Sequence, residues 1–243
     1  MRCSGILDAM RAHETVMQWV TAELASGRLH IGDHLPGERA LAETLGVSRN
    51  SLREALRVLE ALGTLHTSTG SGPKSGTIVT AAPEQALSLA LSLQLATRQV
   101  VPHDILEVRL LLESWAARNS DSERGEWSQT EHLLDLMDTE SLEVDEFLRL
   151  DAEFHVLASR AANNPLISTM MDALRIAIFD HTLERARTLP DWDTTAARLR
   201  QEHRNILDAL RHGRTDQAAD LLEAHIRGYY VETTERTADP DVR

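Results

Sequence analysis

Apolar residues recur every three or four positions through most of the chain, which is the spacing of helices that bury one face. A first helix is predicted over 6–26, a second over 38–45 and a third from Ser48 to about Leu62. Gly46 supplies the left-handed turn that ends the second helix, and Ser48 is placed to cap the third. The apolar face of the third helix contains Leu52, Ala55, Leu56, Leu59 and Leu62.

A small hairpin is predicted directly after the third helix. Two extended stretches, LGTLHTS and GTIVT, enclose the segment TGSGPKS, in which Gly70, Gly72 and Pro73 favour a turn. The order helix, helix, turn, helix, hairpin is typical of a winged helix-turn-helix. We therefore predict such a domain over residues 1–80, followed by a linker over 81–85.

The remainder of the chain shows no strand-like alternation and has few glycines. Breaks at Asn164-Pro165, Leu189-Pro190 and His212-Gly213 separate successive helical stretches. The predicted helices cover 84–98, 103–119, 123–138, 144–162, 165–188, 191–212 and 214–234. We predict a mainly α protein whose second domain, over 86–243, is an antiparallel all-α helical bundle.

Charge is divided unevenly between the two predicted domains. The chain has 243 residues and a net charge of −13, yet residues 1–80 hold eight basic and eight acidic side chains. Residues 81–243 therefore carry the whole excess, 17 basic against 30 acidic side chains. An acidic surface is unfavourable for contact with DNA phosphates, so a DNA-binding role is predicted for the first domain alone.

Two classes of protein are disfavoured by composition. No apolar run approaches the roughly 20 residues that a membrane-spanning helix needs, and the start of the chain lacks the order of a signal peptide. Cys3 is the single cysteine, which argues against a disulfide framework and against a thiolate metal cluster. We expect a cytoplasmic protein with no membrane partner.

Polar residues of the third helix lie opposite its leucines. At 100° per residue, Asn50, Arg53 and Arg57 fall within an arc of roughly 60°, with Arg49 at its edge. A solvated helix face is the alternative interpretation. The turn before the helix favours DNA, because it places the first residues of the helix in a major groove, where arginine can read guanine. The predicted DNA-binding residues are Arg39, Ser48, Arg49, Asn50, Ser51, Arg53, Gly70, Gly72 and Lys74.

The first domain resembles the amino-terminal domain of the GntR family of bacterial transcription regulators. The similarity rests on LHIGDHLPGERALAETLGVSRNSLREALRVLEALGTL followed by GSGPKSGTIV. Two positions depart from the family pattern: Gly37 stands in place of the usual Ser, and the turn TGSGPKSG is longer than the commonest form. The resemblance implies a homodimer, and a two-fold dimer favours a pseudo-palindromic double-stranded DNA operator.

One carboxylate and three imidazoles of the second domain form a candidate metal site. Asp151 and His155 are one helical turn apart, and His203 and His225 follow on two later helices that could meet the first pair inside a bundle. Each histidine taken singly is more often structural or exposed. Together the four suit Zn, Ni, Fe or Mn, with Zn expected first, and leave coordination positions open.

The same residues resemble the metal-binding carboxy-terminal FCD domain of the FadR subfamily. The similar stretches are LDAEFHVLASRAANNPL, QEHRNILDAL and AADLLEAHIRG, which begin at positions 150, 201 and 218. The resemblance assigns the metal-ligand positions to Asp151, His155, His203 and His225. It also covers ILEVRLLLESWAA, in which Arg109 lies on a leucine-rich helix.

Two roles for Arg109 stay open from the sequence. It could form an internal ion pair with Glu113, four residues later, or bind the carboxylate of a small organic acid effector in a bidentate pair. The leading hypothesis is a transcription regulator whose operator affinity responds to such an acid bound near the metal. The alternatives are a metal-dependent enzyme with an accessory DNA-binding domain and, less favoured, an architectural DNA-binding protein.

Overall fold

The computed structural model describes residues 2–68, 76–80, 82, 84–139 and 142–234, and within these ranges the side chains of residues 12–233. The chain divides into two compact units, Met1–Ala86 and Leu87–Arg243. Ten helices and one two-stranded hairpin account for the regular structure of the described residues, which confirms the predicted mainly α fold. None of the described helices combines the length and the apolar character that crossing a bilayer requires.

The first unit contains three helices and the hairpin. Its elements are α1 (Arg2–Ala25), α2 (Glu38–Leu45), α3 (Arg49–Ala61), β1 (Leu65–Ser68) and β2 (Gly76–Val79). The strands pair antiparallel, with Leu65 opposite Val79 and Ser68 opposite Gly76. The predicted wing turn, with Gly70, Gly72 and Lys74, lies outside the described residues.

The turn between α2 and α3 forms as its sequence predicts. Gly46 adopts φ of 65° and ψ of 27°, the left-handed conformation that ends α2. The Ser48 hydroxyl accepts a hydrogen bond from the Ser51 amide at 3.1 Å and caps α3. Both devices orient α3 so that Leu52 and Leu56 are buried against α1 and the hairpin. The opposite, polar face of α3 is left in solvent.

The second unit is all helical over its described residues. Its helices are α4 (Glu84–Ala96), which begins at the end of the first unit, α5 (Pro102–Arg118), α6 (Trp127–Met137), α7 (Val144–Arg160), α8 (Pro165–Ala186), α9 (Trp192–Arg211) and α10 (Thr215–Thr234). The prediction of a helix from residue 123 was wrong by about one turn. A local turn precedes α6 instead, because the Asp121 carboxylate accepts a hydrogen bond from the Glu123 amide at 3.0 Å, a contact that competes with helix formation.

Large apolar side chains from several helices meet in the centre of the second unit. Phe147 and Phe154 of α7, Leu199 and Ile206 of α9, and Leu222 of α10 belong to one buried cluster. α5 packs along α10, and α7 packs along α8. This arrangement encloses the polar side chains on the inner faces of α5, α7, α9 and α10.

Candidate metal centre and DNA-binding helix

The four predicted metal ligands come together inside the second unit. Asp151 and His155 project from α7, His203 from α9 and His225 from α10. One ligand atom from each residue lies within 4.8 Å of the others. The three imidazoles are buried, with exposed fractions of 3%, 0% and 4% in chain order. These four residues, called the metal cage below, form a possible metal site.

The distances within the metal cage suit a cation. The Nε2 atom of His203 lies 3.1 Å from Oδ1 of Asp151 and 3.2 Å from Nε2 of His225. The Nε2 atom of His155 lies 3.9 Å from Oδ2 of Asp151. Neighbouring ligands around an ion with bonds of about 2.1 Å are roughly 3.0–3.5 Å apart. The two distances at His203 fall in this range, and the cage has to contract at His155 to coordinate one ion.

Two glutamates orient the imidazoles from outside the cage. The Nδ1–H of His155 donates to Glu113 at 2.5 Å, and the Nδ1–H of His225 donates to Glu202 at 2.7 Å. With the proton on Nδ1, each neutral ring turns the lone pair of Nε2 towards the cage. The unprotonated Nε2 atoms of His155 and His225 then converge with Nε2 of His203 and the Asp151 carboxylate, a set of donor atoms that fits a metal ion.

The electrostatics favour ionised carboxylates and neutral imidazoles, the protonation states that bind a metal. Burial, followed by the charge of His225, lowers the pKa of His203 to about 4. Burial also lowers the pKa of His225. Burial raises the pKa of Glu113, but the charges of His155 and Arg109, together with their hydrogen bonds, outweigh burial and lower this pKa to about 2. The pKa of Asp151 is likewise held below its usual range, because hydrogen bonding to His203 and the nearby imidazoles outweigh burial.

Sequence reasoning missed the outer role of the two glutamates. The sequence predicts Glu113 only as a partner of Arg109 and predicts no role for Glu202. The adjacency of Glu202 and His203 in QEHRN was an available signal, but the contact of Glu202 is with His225, 23 residues away. Such a pairing depends on how α9 and α10 pack, which spacing alone does not reveal.

Arg109 forms the ion pair that was one of its two predicted roles. Its Nε donates to Oε1 of Glu113 at 2.9 Å, and the side chain is 20% exposed. Glu113 thereby joins Arg109 to His155 of the metal cage. Arg109 also lines two cavities of the second unit, so the ion pair leaves its other role, binding of an anionic ligand, open.

The predicted DNA-binding residues of the first unit lie on an exposed surface around the start of α3. Ser48, Arg49 and Asn50 are exposed. Arg53 is paired with Glu38 at 2.7 Å, and Arg39 is paired with Glu43 at 3.2 Å. Exposed pairs of this kind contribute at most about 1 kcal/mol, so exchanging the glutamate for a phosphate or a base costs little.

Comparison with protein families accounts for both units. Residues 12–74 match the model of the bacterial regulatory proteins of the gntR family, and residues 104–228 match the FCD domain. The chain belongs to the GntR family of regulators and carries an FCD domain. It is a DNA-binding transcription regulator, as predicted from the resemblance.

Curated relatives of the regulator are themselves regulators. The HTH-type transcriptional regulator LutR of Bacillus subtilis is 30% identical over 226 residues, which cover 87% of this chain and 100% of the relative. A putative L-lactate dehydrogenase operon regulatory protein of Escherichia coli is 30% identical over 235 residues, 95% of this chain and 89% of the relative. These relatives confirm the prediction of a regulator rather than an enzyme.

A solved structure shares the fold. Streptococcus agalactiae GntR matches with a TM-score of 0.57 and 23% identity, over 89% of this chain and 98% of that chain. The likeness supports a winged helix followed by a helical FCD domain.

Proposed function

We propose that the regulator binds its operator through α3 and that its second unit holds a divalent metal ion and a small organic acid that changes operator affinity. The observation that carries the proposal is the buried metal cage, with a glutamate on the outer nitrogen of two of its imidazoles. A buried polar cluster of this kind is costly in free energy unless its groups are hydrogen-bonded, paired or coordinated to a metal ion.

The donor set supports a borderline metal, and Zn is our first choice, with Ni, Fe and Mn as the other candidates. Asp151, His155, His203 and His225 would hold the ion. When bound, it supplies positive charge and open positions for a carboxylate. Glu113 and Glu202 would hold the imidazole rings in place through their hydrogen bonds. Arg109 lines the cavities beside the cage, where an acid would bind.

Arg109 supports a carboxylate as the effector's anchoring group. Only its Nε is engaged by Glu113 in the contacts described above, and a guanidinium has further N–H donors for a second partner. A cavity of about 30 Å³ reaches from Arg109 to Asp151 and His155. The name of the Escherichia coli relative refers to an L-lactate dehydrogenase operon, which is consistent with an acid of low mass.

The DNA-binding mechanism places the amino-terminal end of α3 in the major groove. Arg49 and Asn50 are proposed to contact base edges, with Ser48, Ser51, Arg53 and Arg39 holding phosphates, and Gly70, Gly72 and Lys74 of the wing contributing backbone contacts. We assign DNA binding to residues 1–80, a linker to 81–85, and metal binding, effector binding and dimerisation to 86–243. Binding to an operator implies a cytoplasmic location.

A homodimer is proposed to form through the outer face of α5. Leu111 is 72% exposed and Trp115 is 43% exposed on this face, with Glu107 towards one end and Arg118 towards the other. An antiparallel two-fold packing of α5 brings Glu107 near Arg118 of the partner subunit, so the charges of this face complement themselves. Such a dimer presents two copies of α3 to a pseudo-palindromic operator.

Effector control requires two dimer geometries with different affinities for the acid, since a ligand shifts only an equilibrium between states that it binds unequally. The test is a thermal-shift screen of Zn-loaded protein against small carboxylic acids, followed by operator titration with and without each hit. A hit raises the midpoint by mass action and changes operator affinity. Failure of every acid to change either quantity rejects acid control.

A further inference from the structure

A second cavity of the FCD domain lies beside Arg109, between α5, α8 and α10. Its volume is about 70 Å³, more than the roughly 10–15 Å³ that one water molecule needs. Arg109, His181, Arg185 and Tyr229 line it, and no acidic residue is among its described lining residues. The rest of the lining consists of apolar side chains and of Thr182, Tyr230 and Thr233. This donor-rich composition favours a ligand that carries acceptor oxygens and negative charge.

Tyr229 has an unmet hydrogen-bonding requirement at this cavity. Its hydroxyl oxygen is buried and has no hydrogen-bond partner among the described residues. A buried hydroxyl without a partner lowers stability, and a ligand that accepts its hydrogen bond removes that penalty. Burial raises the pKa of Tyr229, and the negative charges of Asp151 and Glu232 raise it further, so the phenol remains a donor at neutral pH.

The Tyr229 cavity adjoins the cavity that leads to the metal cage. The two cavities share Arg109, Ile178 and Thr182 as lining residues. The cavity that leads to the metal cage is also lined by Asp151 and His155. Arg109 therefore lines both spaces.

We propose that the effector is a short dicarboxylic acid that occupies both cavities. One carboxylate lies at the metal cage, Arg109 contacts the molecule between its ends, and the second carboxylate accepts a hydrogen bond from Tyr229 beside Arg185 and His181. This inference rests on the proposed function, in which an acid binds at the metal. It adds that the acid carries a second anionic end, whereas a monocarboxylate such as lactate leaves the Tyr229 cavity without its anion.

The test is calorimetric titration of the full-length, Zn-loaded protein with malonate, succinate and glutarate, and with acetate and lactate for comparison. At least one dicarboxylate is expected to bind about tenfold or more tightly than either monocarboxylate, because it adds a charge-assisted hydrogen bond. Equal affinities for the two classes overturn the inference and leave acid control intact. If no acid of either class binds while Zn does, the effector part of the proposed function fails and the inference fails with it.

Tyr229→Phe separates recognition from a structural role. Without an acid, this variant is expected to be at least as stable as the wild type, since it removes an unsatisfied buried hydroxyl. It should lose the preference for the dicarboxylate, about tenfold in affinity, while Zn binding and lactate binding stay unchanged. An equal loss for both classes of acid, or no loss for either, contradicts the assignment.

Arg185→Gln gives a second readout that does not depend on Tyr229. The substitution removes a positive charge from the lining of the Tyr229 cavity. It is expected to weaken the binding of the dicarboxylate more than the binding of lactate. A dicarboxylate preference that survives in both variants places the second carboxylate elsewhere.

Discussion

At the scale of single residues, the metal cage shows what a sequence can and cannot convey. Asp151 and His155 are neighbours on any helix, because four residues make about one turn. The addition of His203 and His225 rests on an assumed antiparallel bundle and is strengthened by a family resemblance, since only the packing of α9 and α10 against α7 brings them within reach. The outer hydrogen bonds from Glu113 and Glu202 were not predicted at all, because residues 42 and 23 positions apart pair there.

His203→Ala is expected to abolish stoichiometric binding of Zn. The imidazole contacts two other members of the cage, at 3.1 Å and 3.2 Å, so its loss leaves three ligands and a hole in the buried cluster. Elemental analysis of the purified protein measures the metal content. His132→Ala, an exposed histidine on α6, serves as the control. Equal metal content in the two variants would rule out the cage as the metal site.

Glu202→Gln is expected to weaken Zn binding by about 10- to 100-fold without removing a ligand. The negative carboxylate holds the Nδ1 proton of His225 at 2.7 Å and so makes Nε2 a better donor to the metal; the amide keeps the shape but not the charge. Competition with a chelator of known affinity measures the change. Glu223→Gln on α10, which loses an exposed pair with Arg227, should leave Zn affinity unaltered.

At the scale of elements, α3 was predicted well because its signals are local. The left-handed Gly46, the Ser48 cap and the apolar face all act within a few residues, and the structure contains each of them. The exception is Leu62, which was predicted on the buried face but follows the end of the helix and is 41% exposed. The start of α6 was predicted less well. The Asp121 carboxylate accepts a hydrogen bond from the Glu123 amide in a turn, and the spacing of apolar residues does not predict such a turn. The Arg53 pair with Glu38 joins residues 15 positions apart and depends on the angle between α2 and α3.

Arg49→Ala is expected to weaken operator binding by roughly 5- to 150-fold, the loss of one good base contact, and to relax the preference at one base pair. Arg49 lies in solvent at the start of α3, so the variant should fold normally, which circular dichroism checks. Fluorescence anisotropy with operator DNA measures the affinity. Arg28→Ala, on the connection after α1, is the control. Operator affinity equal to that of the wild type would remove Arg49 from the interface.

At the scale of the whole molecule, the two parts of the chain differ in net charge as well as in their proposed roles. The neutral amino-terminal part contains the proposed DNA surface, while the remaining residues carry the entire net charge of −13. Acidic FCD domains are repelled by the phosphates of the operator, which favours complexes in which only the winged helices contact DNA. The composition therefore supports DNA contact by the amino-terminal part alone.

Leu111→Arg is expected to convert the proposed dimer to a monomer and thereby to weaken operator binding. Leu111 is the most exposed large apolar residue of α5, and a charge near the two-fold axis faces its own copy across the interface. A monomer binds one half-site, so it loses the gain in affinity that comes from linking two binding modules. Sedimentation measures the mass, and operator titration measures the binding.

Leu136→Arg is the matched control, since Leu136 is an exposed leucine on α6 and lies away from the α5 face. It should remain a dimer with unchanged affinity. Because the metal cage lies in the interior of each protomer, Zn content should be the same in both variants. If Leu111→Arg remains dimeric, the subunits meet through another face of the FCD domain, and the charge complementarity of α5 has a different origin.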